Sequence, residues 1–270
     1  MGGGRIVNGR GASIVLWIAV AAILAFILAP ILVTIAVAFT TAPYLAFPPV
    51  GFTWEWFGRA LENQEFISGL LLSLQIGLLA TLGSVVLGTA AALGLARGNF
   101  PGKAAMIALL LSPLVFPMLV TGIAFLQFFN GLRFRAVFWQ LVIGHVVITL
   151  PYVVRTVTAA LQMIDERLEA ASRVLGAGPF ETLFKVTLPL AANGIVAGAV
   201  FAFVTSFDNF PVSMWLVNAE YRTLPLTLFA LIDRFLDPSI AAISSLTIAF
   251  SLVLAILVER LVGLRRFASI

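Results

Sequence analysis

Six long apolar stretches, each near or above 20 residues, occupy most of the chain and constrain its fold more than any other feature. At 1.5 Å per residue, about 20 residues of α-helix cross the roughly 30 Å hydrocarbon layer of a bilayer. Hydrophobic residues make up 61% of the chain and charged residues only 10%, far from the usage of soluble domains. We therefore predict an all-α polytopic membrane protein, with residues 1–270 as a single transmembrane domain. The predicted spans are Ser13 to Thr41, Ile67 to Ala96, Ala104 to Phe129, Ala136 to Leu161, Ala191 to Val217 and Ile240 to Val262.

The first apolar stretch has two interpretations. Arg5 and Arg10 precede it, as in a secretory signal, but it is about twice the usual core length and ends without a small-residue cleavage site. We interpret it as a retained helix. The chain has no cysteine and one histidine, which argues against disulfides, thiolate metal sites and a catalytic metal.

The distribution of basic residues predicts the orientation. With both termini in the cytoplasm, eleven of the sixteen Lys and Arg residues lie inside and five outside, which satisfies the positive-inside rule. The sequence pI of about 10.1 is then explained by anionic lipid at the inner leaflet. Membrane lipid is an expected partner, and nucleic acid is not.

One polar segment, residues 165–190 (the elbow), interrupts the apolar sequence between the fourth and fifth predicted spans. The positions of its capping, glycine and proline residues predict two short helices. Asp165 suits the cap of the first helix, and Gly176 and Gly178 suit a left-handed turn at its end. Pro179 suits the first turn of the second helix, which we expect Leu188-Pro189 to stop. On the predicted topology the elbow is cytoplasmic, and its exposed apolar side chains favour a docked partner over a self-packed re-entrant loop.

The elbow resembles the cytoplasmic signature of importer permeases of the ATP-binding-cassette (ABC) class. In that family an EAA triplet is followed by a glycine, then by a branched apolar residue and an LP pair. Gly176, Val186 and Leu188-Pro189 match this pattern, whereas the triplet is displaced, with Glu169 one place early. Glu169 therefore either meets a partner group or stabilises the helix N-terminus by its charge. The resemblance implies ATPase-coupling roles for Glu169, Ala170, Ala171, Arg173, Gly176, Pro179, Phe180 and Lys185.

Further stretches resemble the spermidine/putrescine-type subfamily of these permeases. They are Ser73 to Arg97, Pro151-Tyr152 through Arg155, Ser206 to Asn209, Arg222 to Pro225, and Asp237-Pro238 with Ala241 to Ser244. The resemblance implies a bacterial inner-membrane subunit that works with a second permease subunit, homologous or identical, and with an external solute-binding protein. It also implies two cytoplasmic ATPase subunits that bind ATP and Mg.

The chain itself has no nucleotide site that we can identify. The nearest pattern, Gly98 to Lys103, is one residue short of a phosphate-binding loop and lacks the following Ser or Thr that holds magnesium. We therefore predict a non-catalytic subunit that binds no cofactor.

Candidate solute contacts are few. Asp208 is an ionisable side chain within a predicted span, which costs about 2.5–3.5 kcal/mol on insertion scales and so marks a site candidate, together with Asn209 and Ser206. The alternative is an aspartate hydrogen-bonded to neighbouring helices or lying at the interface. Trp54, on the first external loop, either stacks on an alkyl-ammonium group or anchors the chain at the membrane interface. We expect His145 to form an interhelical hydrogen bond.

Asp208 and the acidic external loops favour a cation as the solute. The resemblance implies a polyamine or another small organic cation. The alternatives are an amino-acid-like compound, an organophosphonate or ferric iron carried by the same class of importer, or an ion-coupled secondary transporter. A secondary transporter would need ion sites near the midplane, usually on broken helices repeated in two halves, and the sequence has no clear internal repeat.

Overall fold

The computed structural model describes residues 9–234 and 237–262, and all regular structure in these residues is helical. In chain order the helices are α1 Gly9–Val37, α2 Glu55–Glu62, α3 Gln64–Arg97, α4 Lys103–Leu111, α5 Met118–Gly131, α6 Val137–Gln162, α7 Glu166–Val174, α8 Pro179–Thr182, α9 Leu188–Phe207, α10 Ser213–Leu216, α11 Leu224–Arg234 and α12 Ser239–Val262. A 3₁₀ turn, Ser112–Leu114, follows α4, and a π turn, Leu183–Thr187, joins α8 to α9. The predicted all-α class is confirmed.

The predicted multi-pass architecture is also confirmed. In the described part of the chain, four helical stretches are long and apolar enough to cross a membrane: Ser13–Val37, Gln64–Arg97, Val137–Gln162 and Pro179–Phe207. The pair Lys103–Leu114 and Met118–Gly131 makes a fifth if it counts as one span. The apolar part of α12, Ser239–Val253, is shorter than a full crossing, so the count of six spans stays a prediction.

The third predicted span is not one straight helix. Its two halves meet at an angle of 104°. Pro113 lies in the 3₁₀ turn and Pro117 immediately precedes α5. Because proline has no N–H and clashes with the carbonyl four residues earlier, two prolines this close break a helix.

The chain divides into two compact units, one built mainly on residues 64–230 and one on the chain up to Asn63 together with residues 231–252. In the first unit, α3, α6 and α9 pack against one another. Small residues allow this close approach: a Cβ at Gly88 of α3 would lie 2.9 Å from the Cβ of Val153 on α6. A Cβ at Gly194 of α9 would lie 2.4 Å from the Cβ of Ala160, also on α6. Backbones this close gain van der Waals contact where the bilayer supplies no hydrophobic driving force.

The predicted fifth span ends earlier than expected. We predicted a helix to Val217, but α9 stops at Phe207, and the chain continues through an irregular stretch into the short helix α10. Pro211 supplies no N–H to continue the helix, and the Asn209 side chain accepts the N–H of Val212 at 3.0 Å, which closes a local turn instead.

Candidate functional site

The first half of the elbow folds as its sequence predicts. Asp165 Oδ1 accepts the N–H of Arg167 at 2.9 Å and so caps α7. Gly176 adopts φ +92°, the left-handed conformation, and its N–H donates to Arg173 O at 3.0 Å. The next N–H, from Ala177, donates to Ser172 O at 3.1 Å. The cap and the left-handed turn at Gly176 are confirmed, because each depends only on residues close in sequence. The prediction was wrong for Gly178, which is extended, with φ −71° and ψ 170°, and precedes α8.

The second half of the elbow differs from the prediction at its end. Pro179 occupies the first turn of α8, as expected. Leu188-Pro189, however, does not stop the helix, which continues through the π turn into α9. In that turn the N–H of Leu188 donates to Leu183 O, five residues back, so Pro189 falls in the first turn of α9, where its missing N–H is tolerated. One continuous rod, Pro179–Phe207, therefore runs from the elbow into the helix bundle.

Glu169 has partners that the sequence analysis missed. Its side chain is only 10% exposed, and its Oε1 accepts from Arg97 Nε at 3.2 Å and Nη2 at 3.0 Å. Thr187 Oγ1 donates to the same carboxylate oxygen at 3.2 Å, and Arg173 Nη2 lies 3.9 Å from Oε2. The carboxylate is thus satisfied within the chain. The only hint of its main partner in the sequence was a basic residue in the last turn of α3.

A cavity of about 460 Å³ opens beside this ion pair, between the end of α3 and α7. Its lining is mostly charged: Arg97, Glu166, Arg167, Glu169, Ala170 and Arg173. Glu166 also pairs with Arg97, with 3.1 Å between Oε1 and Nη1. Three arginines and two glutamates leave this surface with a net positive charge.

The predicted coupling residues other than Glu169 lie on the outside of the elbow. Phe180 is 76% exposed, and Leu175 and Val174, which directly precede the turn at Gly176, are 88% and 86% exposed. The remaining predicted coupling residues are likewise exposed: Ala170, Ala171, Arg173, Gly176, Pro179 and Lys185. Lys185 forms an ion pair with Glu181 one turn earlier. An apolar protrusion with basic neighbours has the features of a docking surface.

The predicted solute contacts are divided between the two compact units. Ser206, Asp208 and Asn209 lie together at the end of α9, but only Asp208 is exposed. The Asn209 side chain is used in the local turn described above. Trp54 belongs to the other unit, where its ring meets Phe39 edge-on with centroids 4.8 Å apart, and it is 62% exposed.

His145 forms the expected interhelical hydrogen bonds. Its Nδ1 lies 2.7 Å from Ser206 Oγ on α9, and its Nε2 lies 3.0 Å from Ser213 Oγ on α10. The imidazole therefore connects α6 to both sides of the break after Phe207. Ser206 is committed to this contact, and its hydroxyl is buried.

Long apolar helices connected by a stiff, capped elbow define a multi-pass membrane protein, and the similarities to known proteins identify its class. Residues 84–266 match the family described as binding-protein-dependent transport system inner membrane component. The chain belongs to this family, the permease subunits of ABC importers. Such subunits are transport components and not catalysts.

Individual relatives agree with this assignment. The spermidine/putrescine transport system permease protein PotC of Haemophilus influenzae is 32% identical over 207 residues, covering 77% of this chain and 80% of the relative. The molybdenum transport system permease protein ModB of Escherichia coli (strain K12) is 35% identical over 180 residues, covering 61% and 79%. A crystal structure of a bacterial ABC transporter that imports the acidic polysaccharide alginate contains a chain of the same fold, with TM-score 0.75, 16% identity, and coverage of 96% and 99%.

Proposed function

We propose that this permease forms half of an ATP-driven import pathway for a polyamine or another small organic cation. The observation that carries the solute class is the 32% identity to a relative named for spermidine and putrescine transport. An exposed carboxylate at Asp208, at the end of α9, supports it, because an ammonium group binds favourably beside an ionised aspartate.

The proposed machine has five kinds of contact: this chain with membrane lipid, with a second permease subunit, with two ATPase subunits, with an external solute-binding protein, and with the solute. ATP and Mg bind to the ATPase subunits only. Both termini of this chain face the cytoplasm of a bacterial cell, and the chain spans the inner membrane. The excess of basic residues on that side supports this orientation.

In the proposed mechanism the ATPase subunits dock on the elbow. Exposed apolar side chains at Val174, Leu175 and Phe180, next to exposed arginines, support this assignment. Movement of the ATPase pair on binding ATP displaces the elbow, and the continuous rod Pro179–Phe207 transmits the displacement into the bundle. The pathway then alternates between outward and inward access.

The test is transport by the complete complex in proteoliposomes, with its ATPase subunits and solute-binding protein. We expect radiolabelled putrescine to be taken up only with ATP and to stimulate hydrolysis. Molybdate is the comparison solute, because a relative named for molybdenum transport is also similar to this chain. Uptake of molybdate and not of putrescine would refute the organic-cation assignment, and uptake without the ATPase subunits would favour an ion-coupled transporter.

A further inference from the structure

The carboxylate of Glu169 joins parts of the chain that are far apart in sequence. It accepts from the Arg97 guanidinium at the end of α3 and from the Thr187 hydroxyl in the π turn, while it is itself part of α7. The two halves of the elbow and the end of α3 therefore meet at one side chain. The Lys185–Glu181 ion pair on the outer surface of the elbow is, by contrast, local and joins neighbouring turns only.

The environment of this pair distinguishes it from a surface salt bridge. Glu169 is the one buried residue among those described for α7, and the Arg97 side chain is 22% exposed. The exposed pair Arg59–Glu55, with side chains 56% and 59% exposed, is screened by water and holds its geometry weakly. In a partly desolvated pair, removal of one partner leaves an uncompensated charge, so the paired geometry is strongly preferred.

The pair also supplies a connection that the covalent chain lacks. The elbow continues directly into α9, and α6 ends just before it, so both helices follow the elbow through the backbone. Helix α3 ends at Arg97, about 70 residues earlier in the chain, and packs on α6 and α9 along its length. At the elbow end of the bundle, the Arg97 side chain links α3 to α7 through its ion pairs with Glu166 and Glu169.

We infer that Arg97 and Glu169 are positioning residues that make α3 move together with the elbow, so that all three packed helices respond to the ATPase subunits. This inference rests on the proposed function. Without the pair, the ATPase subunits still dock and hydrolyse ATP, but the Arg97 end of α3 no longer follows the elbow and the pathway does not switch.

The functional test compares Arg97→Gln, Glu169→Gln and the double variant in the reconstituted complex. We expect each to lower putrescine uptake per ATP hydrolysed by about tenfold, the usual scale of coupling between linked sites, with hydrolysis retained. The double variant should resemble Arg97→Gln, because both lack the ion pairs of Arg97 with Glu166 and Glu169. Arg97→Lys keeps the charge and should recover part of the coupling. Glu55→Gln, which breaks an exposed pair, should behave like the wild type. Equal uptake per ATP in Arg97→Gln and the wild type would overturn the inference, as would loss of hydrolysis and uptake in parallel.

A distance measurement tests the inference whatever the solute is. The chain has no cysteine, so Asn99→Cys and Leu168→Cys place one spin label beyond α3 and one on an exposed position of α7, away from the proposed docking surface. We expect a narrow distance distribution whose mean is the same with and without ATP. With Arg97→Gln added, the distribution should broaden and its mean should shift on ATP binding. Identical distributions in the two backgrounds would overturn the inference, and Arg97→Lys carries the same test if Arg97→Gln fails to assemble. If the wild type fails to import putrescine but passes this test, only the solute assignment falls.

Discussion

Replacement of Gly176 by alanine should loosen the elbow by a predictable amount. The residue adopts φ +92°, and an added Cβ would meet no atom within 4 Å, so the change introduces backbone strain and no clash. A left-handed conformation costs an L-residue with a Cβ about 1–2 kcal/mol. That energy corresponds to a change of about 5- to 30-fold in the population of the open turn.

Gly178 provides a matched control two residues away. Its Cβ would also meet nothing within 4 Å, but its φ of −71° and ψ of 170° suit any residue. Gly178→Ala therefore removes the same flexibility from the unfolded chain without straining the folded one. The difference between the two variants isolates the cost of the left-handed turn.

Hydrogen exchange of the elbow measures this difference directly. The N–H of Ala177 donates across the turn to Ser172 O, so its exchange reports opening. In Gly176→Ala we expect exchange of this peptide to accelerate by about 5- to 30-fold, the factor worked out above, and uptake per ATP to fall. In Gly178→Ala we expect no acceleration. Equal exchange in both variants would refute the assignment of the turn as a strained position that only glycine suits.

Three further predictions concern the bundle. Asp208→Asn should weaken binding of a cationic solute by roughly tenfold or more, because a charge-assisted contact of about 1.5–3 kcal/mol is lost. Asp233→Asn removes the same charge elsewhere and should leave binding of the solute unchanged. Unchanged uptake in Asp208→Asn would remove Asp208 from the site. Gly194→Ala should lower the free energy of unfolding by about 1–3 kcal/mol, since its Cβ would lie 2.4 Å from a Cβ on α6. Gly94→Ala should raise the free energy of unfolding by about 0.5–1 kcal/mol, because a Cβ at this helical position would meet no atom within 4 Å. Thermal unfolding in detergent distinguishes the Gly194→Ala variant from the Gly94→Ala variant. His145→Ala should lower the free energy of unfolding by about 1–3 kcal/mol, because it leaves two serine hydroxyls unpaired. In this variant the backbone amides on both sides of the break after α9 should exchange hydrogen faster. Unchanged exchange there would contradict the role of His145 in connecting the two sides of the break.

The sequence predicted correctly those parts of the elbow whose conformation depends on residues close in sequence. The Asp165 cap and the Gly176 turn each use groups within a few positions, and side-chain chemistry fixes them. The rule that proline stops an α-helix, applied to Pro189, predicted a wrong helix end. The rule assumes α-helical hydrogen bonding, and the π turn shifts the hydrogen bonds by one residue. The approximate positions of the long helices followed from hydropathy alone.

The remaining features depend on packing between distant parts of the chain. Glu169 was assigned to a partner protein or to the helix dipole, since nothing in its own neighbourhood indicates that Arg97 lies beside it. That contact exists because α3 packs on α6 and α9 closely enough for its last residue to reach α7. Pro113 and Pro117 stand in the sequence as helix breakers, but the apolar stretch around them is uninterrupted and was therefore predicted as one straight span.

The π turn also constrains how the length of this segment can change in evolution. A π turn holds one residue more than the α-helical turn it replaces, so losing one residue within Leu183–Thr187 would leave the faces of both flanking helices where they are. Losing a residue inside α9 would instead rotate one part of that helix by about 100° against the other and turn its small residues away from α6. Pro189 makes a deletion within Leu183–Thr187 unfavourable, because in the regular α-helix that results its ring would clash with the carbonyl four residues earlier. The extra residue and the proline are therefore expected to be gained or lost together among related chains.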